Sequence, residues 1–156
     1  MQAMASLEIG QQAPDFKLKG PGGQPVTLSE YRDQHPVVLV FYPLAFSRVC
    51  SHQLPMVEAD LSRFEALGAV VLGISVDSHF ANTEFAHRLG LSFPLLSDLK
   101  REASTAYGVL IPEAGYSGRA IFLVDRKGRL AYRDVSANVD QVPSNARVLE
   151  ALKALR

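Results

Sequence analysis

The strongest pattern in the chain is an unbroken apolar block, Val37-Val38-Leu39-Val40-Phe41-Tyr42. β-Branched and aromatic residues without polar alternation describe a strand buried on both faces. A second block, Ala69-Val70-Val71-Leu72-Gly73-Ile74-Ser75, reads the same way. Between the two, Leu54, Val57, Leu61, Phe64 and Leu67 recur every three or four positions, which predicts a helix. Strand, helix and strand of these lengths imply a right-handed parallel crossover. A further helix is predicted over residues 81–89, with Phe85 and Leu89 on one face and Gly90 as its stop.

The second half alternates differently. Residues 120–125 and 129–133 flank Arg126-Lys127-Gly128, a short turn carrying glycine, and predict an antiparallel hairpin. Ser144 can cap a last helix whose apolar face is Val148, Leu149, Leu152 and Leu155. Near the start, Gly20-Pro21-Gly22-Gly23-Gln24-Pro25 is a turn cluster between two short extended pieces. The order is βαβα, then an antiparallel hairpin, then a helix. That layout resembles a thioredoxin-like α/β domain, with a mixed central β-sheet flanked by helices. With no internal repeat or low-complexity linker, one domain over residues 1–156 is expected.

Composition narrows the function classes. The chain has 156 residues, 47% of them apolar, which suits a folded domain with a real core. Net charge is zero, and the basic runs stop at pairs such as Lys100-Arg101 and Arg126-Lys127. Tracking a phosphate backbone needs clustered positive charge, so a nucleic-acid partner is not expected. The longest apolar stretch, residues 37–46, is broken by Pro43 and too short to span a bilayer, so no membrane partner is expected either. The start, Met1-Gln2-Ala3-Met4-Ala5-Ser6, has neither the basic nor the apolar region of an export signal, and a cytoplasmic location is expected. Cys50 is the one cysteine, so it has no disulfide partner in its own chain.

Cys50 follows shortly after the end of the first buried strand and precedes a helix. In open α/β sheets ligands bind off the carboxyl ends of the strands. A helix N-terminus offers unpaired N–H groups and a positive dipole end, both of which favour thiolate over thiol. The position therefore suits a nucleophile, and equally a small buried hydrophobe, the common fate of a lone cysteine.

Several segments carry a family resemblance. Pro43, Ser47 and Cys50, at spacings of four and three, are similar to the peroxiredoxin active-site pattern of Pro, then Thr or Ser, then the peroxidatic Cys. Gly10-Gln11-Gln12-Ala13-Pro14-Asp15-Phe16 resembles the N-terminal signature of that family. Phe93-Pro94-Leu95-Leu96-Ser97-Asp98, Tyr107-Gly108-Val109 and Phe122-Leu123-Val124-Asp125 resemble later ones. The likeness runs over residues 8–155 and looks nearest to the one-cysteine, alkyl hydroperoxide reductase E-like branch, near the bacterioferritin comigratory group. It implies a thiol-dependent peroxidase without a cofactor, acting on hydrogen peroxide and organic hydroperoxides. Cys50 would be the nucleophile, Ser47 would present its hydroxyl to peroxide and thiolate, and Pro43 would shield the site. Arg119 would be the active-site arginine. Geometry points the same way: an antiparallel strand beside residues 37–42 begins where that strand ends, which brings Arg119 towards Cys50. Its bland alternative is a solvated surface arginine, and that of Ser47 a helix cap.

Two departures from the family pattern bear on mechanism. Many relatives near this branch carry a resolving cysteine five residues after the first, where this chain has Pro55. Reduction is therefore expected from an external thiol, whether thioredoxin-like, glutaredoxin-like or of low molecular weight. Ser47 replaces the commoner Thr and keeps the hydroxyl. A homodimer is expected, with Phe46 and Val49 as exposed apolar residues of a monomer.

Competing classes fit less well. A thioredoxin-type oxidoreductase needs a second cysteine, which Cys50-Ser51-His52-Gln53 does not supply. His52, His79 and His87 come without a hydrolase signature, and with Cys50 they lack zinc spacing. The alternative from another class is a redox sensor or relay that passes oxidation from Cys50 to a partner protein.

Overall fold

A computed structural model describes residues 7–48 and 50–155, the side chains of residues 50 and 51 excepted. Its strands are β1 (Lys17–Lys19), β2 (Pro25–Thr27), β3 (Val37–Phe41), β4 (Val70–Ser75), β5 (Leu95–Ser97), β6 (Leu110–Ile111), β7 (Tyr116–Ser117), β8 (Ala120–Val124) and β9 (Leu130–Val135). The helices are α1 (Cys50–Ala59), α2 (Leu61–Ala66), α3 (His79–Leu89), α4 (Glu102–Ala106) and α5 (Asn145–Lys153). Seven strands form one sheet in the order β2-β1-β5-β4-β3-β8-β9, and β6 pairs with β7 separately. The sheet is mixed: β3, β4 and β5 are parallel, while β8 and β9 run antiparallel.

The apolar block at β3 lies in the middle of this sheet, and every one of its residues is buried. Alternation along the strand divides it between two cores. Val37, Leu39 and Phe41 face a core with Phe16, Tyr107 and Phe122. Val38, Val40 and the following Tyr42 face a second core, built with Leu54, Val57, Leu61, Phe64, Phe85, Val148, Leu149 and Leu152. The helical repeat read from the sequence thus supplies one face of the sheet. Burying each such aliphatic or aromatic side chain contributes about 1.5–3 kcal/mol before the entropy cost of ordering it. Gly90 closes α3 in the left-handed conformation at φ 66°, where glycine carries no Cβ penalty.

Four expectations need correction. The helix between the first two strands is two helices, interrupted at Asp60, whose carboxylate accepts from Asn145 Nδ2 (3.0 Å) and Arg63 Nη1 (3.3 Å). Ser144 does occupy the N-cap position of α5, but its side chain makes no capping bond there. Leu155 packs on the core from beyond the end of that helix. Finally, the layout βαβα-hairpin-helix omits β5, α4 and the β6–β7 pair. These elements are two to five residues long, too short to show a period, and pairing with neighbours creates them.

Candidate active site

The parallel strands β3 and β4 deliver their carboxyl ends to one edge of the sheet, and the loop carrying Pro43 and Ser47 starts there. Tyr42 anchors the loop's entry. Its N–H donates to Ile74 O (3.1 Å), its hydroxyl donates to Asn82 Oδ1 (2.6 Å), and its carbonyl accepts from Ser117 Oγ (3.2 Å). The Asn82 amide is used from both ends, since its Nδ2 donates to Leu96 O (3.2 Å). Pro43 is buried. Next, the Ala45 N–H donates to Asp77 Oδ2 (2.7 Å), and that oxygen also accepts from Ser75 Oγ (2.7 Å). Phe46 turns the chain at φ 66°, a conformation costly for a residue with a Cβ, and lays its ring against Phe85 at 4.9 Å. It remains 53% exposed, as the apolar-patch expectation requires of it, whereas Val49 lies outside the described residues. Ser47 is half-buried, and its N–H donates to Leu44 O (3.4 Å).

Cys50 is the first residue of α1. Pairing of β3 with β8 sets Phe41 opposite Ala120, so Arg119 enters the sheet across from Tyr42, where strand geometry had put it. Arg119 is only 2% exposed and is no solvated surface arginine. Its Nε donates to Val139 O, and its Nη1 donates to Oε1 of Gln53 at 2.6 Å. Gln53 is fully buried and lies three residues after Cys50, in the first turn of α1. The guanidinium therefore reaches the first turn of the helix that Cys50 begins. A guanidinium stays charged at any working pH, and together with the helix dipole it favours an anion at this edge. Pro55 sits inside α1 at the position where a resolving cysteine would stand, and has no N–H to give to the preceding turn.

Two residues of this arrangement escape the sequence reading. Gln53 has a faint signal, a polar side chain one turn after the cysteine and next to Leu54 on the inner face. Asp77 has none that distinguishes it from any acid after a strand; only the parallel pairing of β3 with β4 shows what it holds. His52 and His87 are exposed, and His79 is half-buried with its ring stacked on Phe80 at 4.0 Å. Among the described residues no group of three or more His, Cys, Asp or Glu could hold a metal ion. Among them, too, no helix is long and apolar enough to cross a membrane.

Comparison with known proteins gives this arrangement a family. Residues 9–133 match the AhpC/TSA family. Alkyl hydroperoxide reductase E of Mycobacterium tuberculosis is 39% identical over 83% of this chain and 86% of that protein. A protein named 2-cysteine peroxiredoxin, chloroplastic, from Chattonella marina var. antiqua is 37% identical over 97% of this chain and 80% of its own. Among solved structures, Mycobacterium tuberculosis AhpC superposes with a TM-score of 0.86 at 30% identity, covering 97% of this chain and 94% of that one. The class is that of thiol-dependent peroxidases built on a thioredoxin-like fold. Within it, this chain belongs to the AhpC/TSA family and is a peroxiredoxin.

Proposed function

We propose that the chain is a one-cysteine peroxiredoxin, in which Cys50 reduces hydrogen peroxide and organic hydroperoxides and an external thiol restores it. The observation that carries this is the buried Arg119, tied through Gln53 to the helix that Cys50 begins. The one-cysteine part follows from the chain itself, not from its relatives. A protein named 2-cysteine and an alkyl hydroperoxide reductase E are similar to it to nearly the same degree, while this sequence has a single thiol and Pro55 at the resolving position.

In the reaction, the Cys50 thiolate attacks one oxygen of the peroxide. The O–O bond breaks, and the other oxygen leaves with the electron pair as hydroxide or alkoxide, which takes up a proton. In this reading Arg119 and the Ser47 hydroxyl donate where that charge develops, and Pro43 keeps water from the site. The product is Cys50 sulfenic acid. An external thiol condenses with it, releasing water and leaving a mixed disulfide, and a second thiol frees Cys50. The reductant is a thioredoxin-like protein, a glutaredoxin-like protein or a low-molecular-weight thiol, and the setting is the cytoplasm. We assign a homodimer in which the exposed ring of Phe46 is covered; sedimentation at high micromolar concentration showing only monomer overturns that assignment.

A peroxidase assay of the purified protein against a panel of thiols tests the function. Catalytic turnover with at least one reductant is expected, and Cys50→Ser abolishes it while leaving the fold intact. Stoichiometric transfer of oxidation to one protein, without turnover, makes the chain a sensor or relay. Near-wild-type activity of Cys50→Ser removes Cys50 from the chemistry.

A further inference from the structure

The loop that leads to Cys50 rests on one face of α3. Within it, Phe46 holds a left-handed backbone conformation, φ 66°, which a residue with a Cβ keeps only where its surroundings over-determine it. Phe85 supplies part of that determination. Its buried ring packs 4.9 Å from the ring of Phe46 and 6.2 Å from that of Tyr42, the two residues that bracket Pro43-Leu44-Ala45.

Asn82, one helical turn before Phe85 on the same face of α3, is fully buried and bonded to the same Tyr42. Its Nδ2 donates to Leu96 O (3.2 Å), so the amide oxygen is the atom that faces the hydroxyls of Tyr42 (2.6 Å) and Ser75 (3.2 Å). Asparagine is a poor helix former and costly to bury, and leucine would fill the space as well. Leucine cannot accept the Tyr42 hydroxyl, however. That bond fixes the tyrosine ring within an apolar core that would otherwise let it tilt, and with it the residue from which Pro43 departs.

We propose that α3 is the template of this loop and that Asn82 is a positioning residue, acting through Tyr42 on where Pro43 and Ser47 stand for the reaction of Cys50. The inference rests on the peroxidase reading of Cys50. From the turn just ahead of α3, Asp77 adds its bond to the Ala45 N–H. Asp77, Asn82 and Phe85 thus hold Ala45, Tyr42 and Phe46 from a single segment of chain.

A role confined to stability and a role in positioning give different kinetics. In a protein that is merely less stable, the molecules that remain folded react at the wild-type rate. Because Cys50 is the one thiol, its oxidation by hydrogen peroxide and its alkylation by iodoacetamide are read on the same atom. Alkylation needs the thiolate, whereas oxidation needs in addition the groups of the loop that meet the leaving oxygen.

Tyr42→Phe removes one hydroxyl and keeps the ring, and Asn82→Leu removes its acceptor. Each is expected to slow oxidation about tenfold relative to alkylation, since a misplacement of about 1 Å at a reacting centre can cost about a hundredfold. The double variant is expected to match the singles, because both break one bond. A folded Tyr42→Phe that keeps the wild-type ratio of the two rates overturns the proposal, and so does a double variant whose effect is the product of the singles. If Asn82→Leu does not fold, Tyr42→Phe decides alone. If the wild-type protein consumes no peroxide, the peroxidase function fails, and hydrogen exchange of the amides of residues 44–48 tests the template instead. Exchange about tenfold faster in Tyr42→Phe is then expected, and unchanged exchange overturns it.

Discussion

The carboxylate of Asp77, two residues beyond the end of β4, holds the backbone N–H of Ala45 at 2.7 Å, so the segment after the strand next to β3 fixes the loop that leads to Cys50. Ser75 Oγ donates to the same oxygen, and the loop cannot shift without breaking a charge-assisted bond. Asp77→Ala should loosen the segment from Leu44 to Arg48, slow peroxide reduction and lower stability by about 1–3 kcal/mol, through the unmet Ala45 N–H, while the Ser75 hydroxyl keeps Asn82 Oδ1 as an acceptor. Denaturant unfolding and stopped-flow oxidation measure the two effects. An unchanged oxidation rate would mean that the loop keeps its place without Asp77.

Arg119→Ala should raise the thiol midpoint of Cys50, because the cation that favours thiolate is gone. Oxidation by peroxide should slow by ~10²–10³, the usual effect of losing one fixed donor to developing charge. Arg119→Lys should recover little of it, since an ammonium group cannot serve two acceptors from one planar fork as Nε and Nη1 do here. Alkylation rate against pH is the direct measurement, and an unmoved midpoint would make Arg119 a structural tie only.

Away from the site, Tyr107 should limit alkaline stability. Its hydroxyl donates to Pro14 O at 2.7 Å, and burial, reinforced by the Asp15 carboxylate, pushes its pKa well above the ordinary tyrosine value. The unfolded chain ionises this group near pH 10, earlier than the folded one. The stability it contributes is therefore complete below about pH 10 and declines as pH rises towards the folded value. Thermal melts from neutral pH to about pH 11 should show the loss, and Tyr107→Phe should flatten it at a cost of about 1 kcal/mol at neutral pH. A wild-type slope in the phenylalanine variant would assign the alkaline loss to another group.

With a single thiol, oxidised Cys50 has no route to an internal disulfide. One equivalent of peroxide without added thiol should give a sulfenic acid that dimedone traps, and excess should drive it to sulfinic acid. A small thiol present during oxidation should give a mixed disulfide, which further thiol reduces. Intact-protein mass spectrometry separates these products. A covalent dimer as the main product would replace the external-thiol mechanism by an intersubunit one.

Much of this protein is determined by local sequence. The uninterrupted block at Val37 to Tyr42 has no polar side to expose, so it must lie inside a sheet, and the three-and-four spacing from Leu54 to Phe64 can only cover one face of it. Gly90, which accepts a left-handed conformation, ends α3 where the pattern stops. The ordered segments around Pro43, Ser47, Cys50 and Arg119 carried the family, and one cysteine excluded an internal disulfide before any fold was known.

What the sequence leaves open depends on which strands become neighbours. Leu95–Ser97 is too short to show a period, and is a strand because β1 and β4 pair with it. Asp60 breaks a helix that the apolar spacing would have continued. Arg119 and Gln53 are 66 positions apart, and only the register of β8 against β3 brings a cation at a strand mouth onto the inner side of α1. Asp77 meets Ala45 for the same reason, through the parallel pairing of β3 with β4. Hydrophobic periodicity reports which side of an element is buried, whereas the polar contacts of Arg119 and Asp77 arise between elements, where periodicity carries no information.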